Sequence, residues 1–458
     1  LRFLDRVCRK AGTQRIDNDH CFNQRDQSAL IFTPAVKLIP RCTVYPMPRA
    51  TQKMRRRRGC TRTCIESATM INCRIRSLAA AVLALASSPA LAMSGAPLLP
   101  SERSIGTLEP VARFDGAMPT SVAVSETGRI FVNFPRWGDE VAYSVAEWRD
   151  GRAVPYPDAR INRKDGPDPA AHFISVQSVV ADGQGRLWVL DTAAPGFSAP
   201  QAGGAKLVAI DLATNTVART LVFPANVIDA RTYVNDVRFD FRVGREGVAY
   251  VTDSSLSGIG GIIVIDLATG AASKRLVGHV STSADAAFVP IVEGQQMRLR
   301  NADGSSAPFT VAADGIALSP DGGTLFYTPL SSRHLYSVPT ALLRDPKLSE
   351  AELAAAVVDL GDKGASDGME MDANGRLYAS DYEHNAIHAR DAQGRWTTVV
   401  HDPRILWPDT LSMGPDGYLY FTANQLHRQA GFNGGVDRRQ TPYMLYRTRV
   451  DAKPAPTR

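Results

Sequence analysis

From about residue 115 onward, apolar and polar positions alternate in short runs separated by clusters of Gly, Asn, Asp and Ser. The clearest example is Ser366–Ile387, SDGMEMDANGRLYASDYEHNAI. Its first half, Asp367 to Asp372, alternates small or apolar with polar residues, Ala373-Asn374-Gly375 reverses the chain, and Leu377-Tyr378-Ala379 starts a second run. A period of two interrupted by Asn-Gly predicts a strand, a tight turn and a partner strand. The pattern returns at Ser121–Trp137, Ser175–Ala193, Val234–Ser255, Asp314–Ser332 and Pro408–Leu426. In the second repeat the strands read as 175–181, 186–191, 206–212 and 217–223, joined by DGQG, a longer loop and ATNT. Four antiparallel strands per repeat predict a blade, and six such repeats predict an all-β fold, a six-bladed β-propeller. The sixth repeat lacks an outer strand, and Leu108–Phe114 has no other home. This N-terminal strand is expected to close the ring and remove its open edges.

Two stretches break the repeat. Residues 278–313, between the third and fourth repeats, are too long for a plain connection and are expected to cover one face. Ser349 followed three residues later by Glu352 is a capping box that predicts a short helix over EAELAAAV.

Composition changes the picture mainly at the N-terminus. The 458-residue chain carries a net charge of +6, but residues 1–92 hold 17 Lys and Arg against 5 Asp and Glu. The remaining 35 basic and 41 acidic residues give 93–458 a net charge of −6, so the basic excess is no argument for nucleic acid. All six cysteines also precede residue 92, which leaves no disulfide, thiol nucleophile or cysteine-held metal in the repeats. Met70–Ala92, MINCRIRSLAAAVLALASSPALA, has basic Arg74 and Arg76, an apolar run, and small residues at Ala90-Leu91-Ala92. That is the layout of a secretory signal peptide, and the run is too short to span a membrane. The expected organisation is a disordered extension or gene-start artefact over 1–69, a signal peptide over 70–92, and the propeller over 93–458, as a secreted or periplasmic monomer.

In a propeller the innermost strands line a central channel, and function sits at the mouth where they begin. Comparable positions in the six repeats are Ser121, Gln177, Asn235 with Asp236, Asp314, Asp367 and Asp409. Carboxylates and amides around one axis suit calcium, zinc or another divalent ion, or a protonated amine. Crowding also raises carboxyl pKa values, which makes Asp367 or Asp314 a candidate general base. Equally, each Asp could merely fix the turn into its strand. Arg136, Trp137, Tyr382 and Asn424 fall in mouth loops and could stack on or orient a ligand, while Trp137 and Trp407 could equally be packing residues. Asp191, Asp253 and Asp381 recur after second strands and read as structural. His384 and His388 have a metal spacing only on a helix, and they fall in a loop and a strand. His172 is a weaker candidate for the mouth. No GxSxG, Walker loop or HExxH occurs.

On the segments GRIFVNFPRW, SVQSVVADGQGRLWVLD, KLVAIDLATN, YVNDVRFD, YVTDSS, GIALSPDG and WPDTLSMGPDGYLYFTANQL, the chain resembles the Yellow/major royal jelly protein family over Leu108–Tyr446. The resemblance implies a secreted six-bladed propeller, binding of a small aromatic amine or catechol-derived ligand in the channel, and a link to dopachrome tautomerase chemistry. The mature part lacks the cysteines of the insect members. A wider resemblance to gluconolactonase-like propellers implies a divalent metal held by Asn235, Asp314 and Asp367. The first-blade glutamate of that group is replaced by Thr120 or Ser121. Three functions follow as expectations: an amine-binding protein or tautomerase, a metal-dependent lactone hydrolase, and a non-catalytic scaffold for another protein.

Overall fold

The computed structural model describes residues 102–458. The leader expectations for 1–69 and 70–92 lie outside the described residues. The six blades are four-stranded antiparallel sheets whose inner strands are Val122–Val124, Val176–Ala181, Val234–Asp240, Ala313–Leu318, Met369–Met371 and Pro408–Met413. In the sixth blade Glu109–Phe114 pairs antiparallel with Tyr443–Arg449 as the outer strand, so the ring closes as expected. The predicted helix is Glu350–Ala355, and its Ser349/Glu352 capping box is formed.

Local chemistry explains the repeating hairpin. At the turn after the inner strand, Asp372 Oδ1 accepts the backbone N–H groups of Asn374 and Arg376, each at 2.9 Å, and Gly375 supplies the left-handed φ of 78°. Asp182 makes the same pair of bonds in blade two, to Gln184 and Arg186. In blades one and four the hydroxyls of Ser125 and Ser319 replace the carboxylate, accepting from Arg129 and Thr324. Apolar residues fill the gaps between blades, as where Trp188 and Leu190 of blade two meet Val237 and Phe239 of blade three. Outer strands face water, and Thr216–Val222 is mostly exposed.

The residues after the last blade cross the mouth at the turn end of the inner strands. Ala373 N–H donates to Lys453 O, Ala455 N–H to Met371 O, and Phe241 N–H to Thr457 O. Thr457 Oγ1 donates to Asp182 O at 2.6 Å. This segment ties blade five to blades two and three, and the opposite mouth is the one lined by the candidate residues. Among the described residues, no helix is long and apolar enough to cross a membrane.

Candidate functional site

Two backbone features bring the candidate residues together. The inner strands of blades two, three, four and six each change register where the candidates sit, between Val176 and Ser178, Val234 and Val237, Ala313 and Ile316, and Pro408 and Leu411. A bulge frees one or two residues from the ladder and re-aims their side chains. Gln177, Asn235, Asp314 and Asp409 are among the freed residues, and they turn toward the channel. The second feature is the Asp-Gly dipeptide. A Cβ on Gly315 would lie 2.3 Å from Asp367 O, and one on Gly368 the same distance from Asp409 O. Only glycine lets neighbouring inner strands approach so closely. Their close packing gathers the carboxyls of Asp314, Asp367 and Asp409 into one cluster.

Above the cluster lies a cavity of about 220 Å³ whose walls are largely apolar. Trp137, Phe197 and Tyr233 form one side, Phe309 and Phe432 the other, and Leu299 and Val311 come from the inserted segment. That insertion folds into two small hairpins, Ile291–Val292 with Gln295–Gln296 and Arg298–Arg300 with Ser306–Pro308. It is anchored to blade six through Glu293, which accepts from His427 Nε2 at 2.8 Å and from Arg428 Nε at 2.9 Å. The expectation that it covers one face holds. Larger hollows, of about 360 Å³ under the C-terminal segment and about 550 Å³ beside blade five, contain none of the three clustered carboxyls.

The electrostatics of the cluster follow from burial. Asp314 and Asp409 are held well above the ordinary carboxylate range, first by burial and then by the neighbouring Asp367 charge. Asp367 is raised to about 6 by burial, opposed by the Trp407 indole and by the Asp314 carboxyl. Asp367 is the least raised of the three, and ionisation of one carboxyl holds its neighbours protonated. Each carboxyl is also held in place. Asn235 Nδ2 (2.6 Å) and Ser254 Oγ (2.9 Å) donate to Asp314, Trp407 Nε1 (2.8 Å) to Asp367, and Asn424 Nδ2 (2.6 Å) to Asp409. Among the described residues, no Lys, Arg or His lines the cavity. Behind its wall lies Lys363, bonded to Gly364 O, with a pKa pushed down to about 7 by burial.

Several expected contact residues turn out to support the site instead of bordering the cavity. Ser121 donates its hydroxyl to Val179 O and binds the blade-one and blade-two strands together. Asp236 is committed to Arg238 and to Ser178 Oγ deeper in the channel. Arg136 donates to Val141 O and Asn162 O at the rim. Tyr382 is buried against Trp407, with ring centroids 4.1 Å apart, and donates to Leu330 O. Asn424 orients Asp409. Trp407 packs against Tyr382, donates its indole N–H to Asp367 and does not border the cavity. Asp191, Asp253 and Asp381 are structural, as read: each accepts backbone N–H groups, Asp191 and Asp253 pair with Lys206 and Lys274, and Asp381 holds His384 and His388.

Sequence reading missed Tyr233, Phe197, Phe309 and Phe432. Tyr233 stands two residues before Asn235 in YVNDVRFD, and that proximity was the available signal. The phenylalanines lie in loops with no repeat to mark them.

The residues do not fit a metal centre. Asn235 turns its amide nitrogen, not its oxygen, toward Asp314, and Asp314 and Asp367 each have an oxygen occupied by a protein donor. In blade one the Thr120 and Ser121 hydroxyls point to Gln177 O and Val179 O, each at 3.2 Å. Among the described residues no group of three or more His, Cys, Asp or Glu is spaced to hold an ion. Asn235, Asp314 and Asp367, the set expected to hold calcium or zinc, are held by hydrogen bonds to one another and to Ser254 and Trp407.

The family model for major royal jelly protein matches residues 174–458, from the second inner strand through the C-terminal segment. The chain belongs to the major royal jelly protein family. Protein yellow of Drosophila erecta is 28% identical over 248 residues, covering 48% of this chain and 41% of the relative. Protein yellow of Drosophila melanogaster gives the same identity and coverage. The alignments thus span about two-fifths of the length of these curated relatives. Among solved structures, this royal jelly family propeller is similar to a gluconolactonase from Xanthomonas campestris, with 14% identity, a TM-score of 0.45 and coverage of 77% of this chain and 99% of that one. A calcium-binding regucalcin from Agrobacterium tumefaciens gives 14% identity, a TM-score of 0.45 and coverage of 75% and 95%.

Proposed function

We propose that this protein is an exported, monomeric member of its family that binds a small aromatic amine at the mouth of its channel. The observation that carries the reading is a buried acid cluster, its pKa least raised at Asp367, on the floor of an aromatic-walled cavity with no cation among its described lining residues. A buried carboxylate without a cationic partner is costly, and an organic ammonium ion supplies that partner. The rings of Trp137, Phe197, Tyr233, Phe309 and Phe432 suit an aromatic group and favour a cation near their faces. The volume of about 220 Å³ is below the ~300–1,000 Å³ of sites for drug-sized ligands, which favours a single ring with a short side chain. Export is supported by the Met70–Ala92 leader, and the acidic balance after residue 92 argues against nucleic acid.

A second reading, tautomerase activity at the same site, is favoured by the contact between Asp314 and Asp367. A protonated and an ionised carboxyl side by side can exchange roles: Asp367 takes a proton from the ligand, and Asp314 returns its own to another atom. The amide NH2 of Gln177 would steady the oxyanion formed between those steps.

Calorimetry on the purified protein tests the binding reading. Titration with 2-phenylethylamine should give saturable one-to-one binding at pH 8, and CaCl2 or ZnCl2 should give no heat and no change in amine affinity. Binding of either ion at the mouth, lost in Asp314→Ala, with no heat from the amine, would overturn it.

A further inference from the structure

A second polar feature of the cavity is independent of the acid cluster. Gln177 is buried to all but 7% of its surface and lines the cavity, yet only one end of its amide is used by the protein. Tyr233 OH donates to Gln177 Oε1 at 2.9 Å, and Trp137 Nε1 donates to Tyr233 OH at 2.8 Å. An indole N–H can only donate, so the Tyr233 hydroxyl accepts there and passes its own hydrogen on to the amide oxygen. Burial holds the Tyr233 phenol far above its ordinary pKa, so this hydrogen stays in place across the working pH range. The relay fixes the orientation of the Gln177 amide. Its NH2 group faces the cavity and has no hydrogen-bond partner among the described residues. Asn235 is the complement on the adjacent blade: its Nδ2 is committed to Asp314, which leaves Oδ1 without a partner among the described residues. The cavity thus carries a fixed donor and a fixed acceptor besides its acids.

We infer that Gln177 determines specificity, its amide NH2 selecting ligands that carry a hydrogen-bond acceptor on the ring, with Tyr233 and Trp137 as the residues that position it. This rests on the amine reading and adds the second point of recognition. A buried donor left unpaired by a ligand lacking the acceptor is costly, so discrimination comes from the penalty on the wrong ligand as much as from the bond to the right one. A ring hydroxyl satisfies both amides, accepting from Gln177 Nε2 and donating to Asn235 Oδ1.

The test compares 2-phenylethylamine with its 2-, 3- and 4-hydroxyphenyl isomers by calorimetry, in the wild type and in Gln177→Met and Tyr233→Phe, with thermal unfolding recorded for each variant. The best isomer should bind the wild type roughly tenfold more tightly than the unsubstituted amine. That ratio should collapse toward one in Gln177→Met and fall part of the way in Tyr233→Phe, where the amide is present but free to turn. A ratio that survives Gln177→Met, or three isomers no better than the parent amine, overturns the assignment of Gln177 and leaves the amine reading standing. Absence of binding by all four amines overturns both.

Discussion

Asp367→Asn should weaken binding of 2-phenylethylamine by roughly 10- to 100-fold while making the protein more stable at pH 8. The loss is that of a charge-assisted hydrogen bond in a buried site. The gain follows from the direction of the pKa shift. Burial raises the folded-state value of Asp367 to about 6, above the ordinary value of 3.8. The folded state therefore holds the proton more tightly than the unfolded chain, and stability is lost as pH rises through that window. About two pKa units correspond to at most ~3 kcal/mol of penalty above pH 6, and Asn carries none of it while still accepting the Trp407 indole N–H. Thermal unfolding of the two proteins should diverge at pH 8 and converge near pH 4. A variant that binds normally, or that is less stable than wild type at pH 8, would show that the carboxylate serves the fold and not a ligand. A residue that costs stability and gains its value only when a guest is bound is the signature of a binding site.

The second large effect is proton release. Because an ammonium ion favours the ionised cluster, amine affinity should rise with pH by up to about tenfold per unit below pH 6 and level off above pH 7. The other titratable groups nearby point the same way. Lys363, with its pKa pushed down to about 7, loses positive charge over the upper part of this range, and Tyr233 stays neutral throughout. Deeper in the channel, the Asp236 charge is matched by Arg238. Calorimetry at pH 5.5 in two buffers of different ionisation enthalpy should report up to about three-quarters of a proton released per amine bound, declining toward zero at pH 8. A pH-independent affinity with no proton release would mean that the ligand does not meet the acids.

The architecture was legible because the features that build it are local. Alternation over 367–372, the turn at Asn374-Gly375 and the capping Ser349 act over a few residues, and even ring closure could be read from a missing strand in one repeat and an unclaimed one at Leu108–Phe114. The acids could also be located, because Asp314 and Asp367 stand at equal places in their repeats, each followed by glycine. What periodicity could not convey was the bulge. An extra residue in the inner strand decides whether Asn235 or Asp236 meets the cavity, and it left Asp236 bound to Arg238. Nor do repeats predict what loops bring from a distance. Phe309 and Phe432 meet edge to face with centroids 5.0 Å apart although more than a hundred residues separate them. Ser121, Arg136, Tyr382 and Asn424 do not border the cavity. Each has partners within the protein that only the folded chain supplies.

A crystal structure of the protein grown with 2-phenylethylamine at pH 8 is the most direct test. The amine should lie in the cavity beneath Phe309 and Phe432, with its nitrogen within hydrogen-bonding distance of the Asp367 carboxylate and its ring among Trp137, Phe197 and Tyr233. An empty cavity at saturating amine, or an amine bound with its nitrogen turned away from Asp367, would contradict the account.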